Sequence, residues 1–268
     1  MSVASQPTTD PHELEAVAAS VACAAADLIR GNVGRATGLA AKSSPTDVVT
    51  RTDLDAEELI RRLLADATPG ASVLGEEGGQ TPMSAGGGGT RLQWVVDPLD
   101  GTVNFLYALP VMAVSVAAAV DGDVVAGAVV DVLTNETFSA AVGLGARVNG
   151  RAIEVSDCPS LARALVLTGF SYRADIRRRQ GNIVQELLPA ARDIRCFGSA
   201  ALQLCWVGAG RADAYFERDI KVWDYAAGAL IAREAGAVTE LPCPENDDLV
   251  IIAAPAVFDE LRTVVEHR

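Results

Sequence analysis

Histidine is nearly absent: the 268-residue chain holds two, His12 and His267, one near each end. Neither is well placed to join a buried site, so Ser-His-Asp triads, Cys-His dyads and histidine-ligated zinc are poor expectations. Long apolar runs are missing as well. The strongest, Leu109 to Val120, ends at Asp121 and falls short of the roughly 20 residues that a bilayer span takes, so no membrane span is expected. The opening MSVASQPTTDPHELE has neither a basic leader nor an apolar h-region, which predicts no secretory signal and a cytoplasmic location. Cysteine is sparse: Cys23, Cys158, Cys196, Cys205 and Cys243 are an odd number, widely spaced and without a C-x-x-C pair. Reduced, mostly buried thiols are the expectation. Positive charge is short too, with 22 Lys and Arg against 35 Asp and Glu and a net charge of -13. That balance argues against nonspecific binding to nucleic acid or anionic membrane, and an anionic small substrate would need a local positive charge. Carboxylates and hydroxyls are left to do most of the chemistry.

Half of the residues are hydrophobic, enough to bury a substantial core in one or two domains. Asp10-Pro11-His12-Glu13 reads as N-cap, first-turn proline and capping-box acid, and Leu14, Val17, Val21 and Leu28 then recur at near-helical spacing until Gly31. A second helix is predicted from Thr52 or Asp53 to Pro69-Gly70. Residues 78 to 90, with four successive glycines, read as a mobile surface loop. Val111 to Val120 and Val124 to Val132 are β-rich runs around Asp121-Gly122-Asp123, a strong hairpin signal, and Thr137 to Val142 reads as a further strand. Beyond Pro159 strands alternate with helices: strands at 164–170, 193–197, 212–216 and 249–254, helices at 174–188, 199–207, 223–234 and the C-terminal end. An antiparallel half followed by an alternating half suggests sheets layered with helices.

Four stretches carry candidate chemistry. In WVVDPLDGTVNF, Trp94 to Val96 reads as a buried strand, with Asp97 at its C-terminal end and Pro98 fixing a turn. Asp100 returns a second carboxylate, and Gly101-Thr102 opens a short helix whose free N–H groups suit a phosphate. Two such close acids repel one another unless protonated or bridged, and oxygen-only ligands favour a hard ion such as magnesium. An Asp-Pro turn followed by an Asp N-cap explains the stretch equally well on its own. The other three are Leu74-Gly75-Glu76-Glu77-Gly78, a second acidic pair or a solvated turn; Val222-Trp223-Asp224-Tyr225, an acid at the cap of a small-residue helix; and Lys42 to Thr50 with Asp53, equally a loop and a helix start.

Taken together, K-S-S-P-T-D-V-V-T-x-T-D, G-E-E, W-V-V-D-P-L-D-G-T-V-N-F and W-D-Y-A-A-G stand in the order and at about the spacings of the inositol monophosphatases, which the chain resembles over nearly its whole length. Phe197 to Ala201 and Ala212 to Glu217 look like family segments too. The resemblance implies a mixed α/β fold, a layered αβαβα sandwich, in one domain over 1–268, usually assembled as a homodimer. It implies a magnesium-dependent, lithium-sensitive phosphomonoesterase acting on a small sugar phosphate such as inositol 1-phosphate, with two to three Mg2+ ions per subunit. Glu76, Asp97 and the carbonyl of Leu99 would hold one ion, and Asp97, Asp100 and Asp224 a second; a third would sit near Glu76. Thr102, hydrogen-bonded to Asp47, would orient the attacking water beside Glu76, and the N–H groups of Gly101 and Thr102 would receive phosphate oxygens. Asp100, Ser199, Ala200, Glu217 and Asp224 would face the ring, with Glu217 reading its hydroxyls. Histidinol phosphate, fructose 1,6-bisphosphate or a nucleotide bisphosphate are alternative substrates; Arg173, Arg177, Arg178 and Arg179 are the best basic residues for a second phosphate, though a solvated helix face is the favoured reading of them. A regulatory binding protein that keeps the fold is the reading from another class.

Overall fold

A computed structural model describes residues 8–35, 38–41, 48–81, 90–243 and 248–266. In chain order the elements are α1 (Pro11–Arg30), β1 (Gly38–Ala41), β2 (Val48–Thr50), α2 (Arg51–Ala67), β3 (Ser72–Gly75), β4 (Gly79–Gln80), β5 (Leu92–Asp100) and α3 (Thr102–Leu106). An antiparallel run follows: β6 (Ala113–Val120), β7 (Asp123–Asp131), β8 (Thr137–Ala141), β9 (Ala146–Val148) and β10 (Arg151–Ile153). The rest alternates: β11 (Leu165–Thr168), α4 (Ala174–Leu187), β12 (Asp193–Arg195), α5 (Ala200–Gly208), β13 (Ala214–Arg218), α6 (Val222–Glu234), β14 (Val238–Glu240), β15 (Leu249–Ala253) and α7 (Pro255–Glu266).

Helix α1 starts where its sequence says it should. Asp10 accepts from His12 N at 3.0 Å and Pro11 occupies the first turn. Its apolar stripe, Leu14, Ala18, Val21, Ala22, Ala25 and Ile29, is buried, and each large member contributes roughly 1.5–3 kcal/mol of burial. The predicted hairpin joins β6 to β7, with Asp121 at φ 53° and Gly122 at φ 100°, the left-handed pair that a two-residue hairpin turn requires.

Eight strands form one sheet in the order β10-β9-β8-β7-β6-β5-β3-β4, and five form another in the order β12-β11-β13-β15-β14. Strand alternation decides what each sheet face meets. Trp94, Val96, Val114, Val116, Ala126 and Ala128 pack on α1 and α2, whereas Val95, Ala113, Ala117 and Val129 pack on α5 and α6. In the second sheet Tyr215, Val250 and Ile252 turn toward α5 and α6, and Ala214, Phe216, Leu249 and Ile251 turn toward α4 and α7. The layers are therefore α1/α2, sheet, α5/α6, sheet, α4/α7, the expected αβαβα sandwich. The central helices sit close because they are small-sided: a Cβ on Gly228 would stand 2.8 Å from Leu204 Cβ. Among the described residues no helix is long and apolar enough to cross a membrane.

One local expectation is corrected. Strand β5 does not end at Val96 with a turn at Pro98 but runs on to Asp100. Asp97 pairs with Ser115 and Asp100 with Ala113, so three steps on β5 oppose two on β6. That extra residue is a β-bulge, and a bulge tolerates the missing N–H of Pro98.

Candidate active site

The bulge carries the centre of the site. Asp97, only 2% exposed, accepts from Leu99 N at 3.0 Å through Oδ1. Asp100 leaves the bulge toward α5, where its Oδ2 accepts from Ser199 Oγ at 2.6 Å and Ala201 N at 2.7 Å. Ser199 is the N-cap of α5, so Asp100 lies at a helix N-terminus, where a negative charge is favoured. Gly101 then turns the chain at φ 101°, and a Cβ there would lie 3.0 Å from Val111 O and 3.2 Å from Gly198 O. A side chain there would press on backbone atoms and strain the left-handed φ. Asn104 ties α3 to the same neighbours, donating to Val111 O at 2.8 Å and Phe197 O at 2.7 Å.

Two further acids converge from other elements. Glu76 stands in the turn after β3, and Asp224 is the third residue of α6 rather than its cap, with Oδ2 accepting from Lys221 N at 2.6 Å. Burial raises the Asp97 pKa well above the ordinary carboxylate range, and the charges of Glu76, Asp100 and Asp224 push it the same way. Burial and then Asp100 raise Asp224 likewise. Asp100 is pushed up to about 6 by burial, against the Ser199 hydroxyl and the Ala201 and Ala200 N–H groups that favour its charged form.

Such a set, oxygen donors only and mutually repelling in a buried place, fits a hard divalent cation by its chemistry. Among the described residues no three His, Cys, Asp or Glu side chains are drawn together tightly enough to hold an ion as they stand. The carboxyls lean instead on protein donors, Asp97 on Leu99, Asp100 on Ser199 and Ala201, and Asp224 on Lys221.

The hydroxyl of Thr102 donates to Asp53 Oδ1 at 2.9 Å, with Leu99 O at 3.1 Å. Asp47, the partner that the resemblance implies for Thr102, lies outside the described residues; among the described residues the carboxylate set against Thr102 is Asp53, fully buried at the first turn of α2. Its orientation comes from a capping box: Asp53 Oδ2 receives Thr50 N at 3.0 Å and the Thr50 hydroxyl, which leaves Oδ1 facing Thr102. The T-x-x-D spacing from Thr50 to Asp53 was the available signal.

On the opposite wall Glu217 is buried, its Oε2 taking the phenol hydrogen of Tyr215 at 2.5 Å. A Cβ on Gly169 would stand 2.1 Å from that oxygen, so glycine is what admits the carboxylate. Burial pushes Glu217 up to about 8, with Asp100 and Asp219 adding to it and the Tyr215 hydroxyl opposing. Ala200 opens α5 between Ser199 and Ala201. The structure thus gathers Glu76, Asp97, Leu99, Asp100, Gly101, Thr102, Ser199, Ala200, Glu217 and Asp224 in one region, with Tyr215, which the sequence did not point to, and Asp53, which it pointed to without a role, as their partners. Arg173, Arg177, Arg178 and Arg179 lie on the exposed face at the start of α4.

The sequence model of the inositol monophosphatase family matches residues 10–264. The chain belongs to the inositol monophosphatase family. Its class is accordingly that of an inositol-phosphate phosphatase, a phosphoric monoester hydrolase. It is 45% identical over 279 residues to the inositol-1-monophosphatase of Mycobacterium leprae, covering 97% of this chain and 96% of that one. The solved structure of Mycobacterium tuberculosis SuhB, 42% identical, superposes with a TM-score of 0.83 over 96% of this chain and 97% of its own. A protein named Nus factor SuhB, from Xylella fastidiosa, is 45% identical over 196 residues, 73% of this chain and 69% of its own.

Proposed function

We propose that the chain hydrolyses inositol 1-phosphate to inositol and phosphate, using two to three magnesium ions and sensitive to lithium. The observation that carries this reading is the convergence of Glu76, Asp97, Asp100 and Asp224: the charges of Glu76 and Asp100 make Asp97 and Asp224 harder to ionise in their buried setting. Glu76, Asp97 and the Leu99 carbonyl would hold one ion, Asp97, Asp100 and Asp224 another, and a third would lie near Glu76. Bound there, magnesium supplies positive charge for a doubly negative phosphate and acidifies water.

The chain's own residues do the rest. Donating to Asp53, the Thr102 hydroxyl leaves its oxygen to accept a hydrogen from water and orient it. Asp53 is then placed to take up a proton through that hydroxyl, the part the resemblance gave to Asp47, with Glu76 on the water's other side. N–H groups of Gly101 and Thr102 face the phosphate oxygens. Ser199 and the first turn of α5 hold Asp100 toward the ring, and Glu217 receives ring hydroxyls, which suits a polyol and disfavours a second phosphate.

The arginines around α4 do not favour a bisphosphate: the cleft that gathers Arg173, Arg179 and Arg218 also holds Asp175, Asp219 and Asp248, three acids against three bases. A single domain over 1–268, a homodimer and a cytoplasmic location complete the reading. A second reading, a binding protein of the transcription machinery, is favoured by the name Nus factor SuhB that a 45% identical relative bears. Initial rates on inositol 1-phosphate, histidinol phosphate, fructose 1,6-bisphosphate and a nucleotide bisphosphate, with and without magnesium and lithium, test the first. Absence of phosphate release from all four, with co-migration with purified RNA polymerase, would support the second instead.

A further inference from the structure

Glu76 sits in a turn flanked by glycines, G-E-E-G at 75–78, and the turn is tied down from outside the site. Glu57 of α2, 3% exposed, uses both carboxylate oxygens on it: Oε2 accepts Glu77 N at 2.8 Å and Oε1 accepts Gly78 N at 2.8 Å. Arg61, one helical turn on, donates from Nε to Glu57 Oε1 at 2.7 Å and from Nη2 to Gly79 O at 2.6 Å, with Nη1 at 3.4 Å from Val73 O. The guanidinium therefore spans the two strands on either side of the turn while the carboxylate grips the turn itself.

The glycines make this approach possible. A Cβ on Gly75 would lie 2.7 Å from Glu57 Cδ, and one on Gly78 would lie 2.7 Å from Glu57 Oε1. Helix α2 cannot easily give way, because Ala56, Ile60 and Leu64 are buried in the core. Glu57 also stands four residues after Asp53, hence on the same helix face. One face of one helix thus holds the partner of Thr102 and the clamp on the Glu76 turn.

We propose that Glu57, braced by Arg61, is a positioning residue for the cation site: it sets the height and direction of the Glu76 turn against the bulge that carries Asp97. The inference rests on the phosphatase reading above and adds residues that do not touch ion or substrate. An unclamped turn has to be ordered each time an ion binds, so the loss falls on metal affinity.

The test is magnesium binding to metal-free protein by isothermal titration calorimetry, alongside the magnesium dependence of phosphate release, for wild type, Glu57→Gln, Gly78→Ala and Asp97→Asn. Glu57→Gln keeps the shape but replaces one acceptor by a donor, and Gly78→Ala displaces Glu57 without touching its charge. Both are expected to weaken magnesium binding about 10- to 100-fold, with the larger change in the magnesium concentration for half-maximal rate and the smaller in kcat. Unchanged magnesium affinity in both variants overturns the inference while leaving the phosphatase reading in place. Wild type that binds no magnesium and releases no phosphate overturns both. If Glu57→Gln lacks a cooperative melting transition, Gly78→Ala decides alone by the same criterion.

Discussion

On the α2 side of the site the inward-facing acids are held by several protein donors each. Asp53 has the Thr50 N–H, the Thr50 hydroxyl and the Thr102 hydroxyl, and Glu57 has two backbone N–H groups and the Arg61 guanidinium. On the β13–α6 side Glu217 has one phenol and Asp224 one backbone N–H, and burial raises the pKa of both. The α2 side is tied down by the protein's own donors, and its task is to keep parts in place. The other side is left with charge to be completed from outside, as suits groups that meet ions and a polyol.

Asp97, on the strand between the two sides, gives the sharpest way to break this contrast. Asp97→Asn is expected to lose nearly all magnesium-dependent phosphate release, because every neighbouring acid shares a cation with it in the proposed site; near wild-type turnover would refute the assignment. Next in size is Asp53→Asn, for which kcat should fall on the order of 100- to 10,000-fold while Asp47→Asn retains its rate. The opposite ranking in steady-state assays would return the Thr102 partnership to Asp47.

A third prediction concerns the unfinished side. Below about pH 4 both folded and unfolded chains carry the Glu217 proton, but between about pH 4 and its folded pKa of about 8 only the folded one does. Stability from this group is therefore full at low pH and lost as pH rises to 8. In metal-free protein Glu217→Gln should remove that share of the slope, with a gain on the order of a few kcal/mol at pH 8 and above, read from denaturant melts across the pH range. An unchanged slope would show that the carboxylate is solvated or paired. The smallest effect is expected at Arg173, exposed at the N-cap of α4 and paired with Asp175. Arg173→Ala should leave the melting temperature and the rate on inositol 1-phosphate as they are, and a selective loss on a bisphosphate would reopen that substrate class.

Much of the fold was legible locally. The Asp10 cap, the Asp121-Gly122 turn and the alternating strands of the C-terminal half follow from side-chain preferences within a few residues. The acids of the site were legible as a set because their spacing matched a family. The bulge at Asp97 was not, since whether Pro98 makes a turn or a bulge depends on Ser115 and Ala113 across the sheet. Nor was Glu57, which looks like any charged residue of an amphipathic helix until its approach to Gly75 and Gly78 is seen.

By itself the sequence determined which chemistry was available: almost no histidine, a surplus of carboxylates, and a threonine and glycine beside two of them. It also set where most helices and strands begin, because caps, turns and periodicity act over short stretches. Tertiary structure alone decided that Asp53 meets Thr102, and that Tyr215 holds Glu217. The same is true of α2 gripping the Glu76 turn. Each of those pairs depends on which faces of separate elements are pressed together, and that is settled by packing across the layers rather than by any residue's own preference.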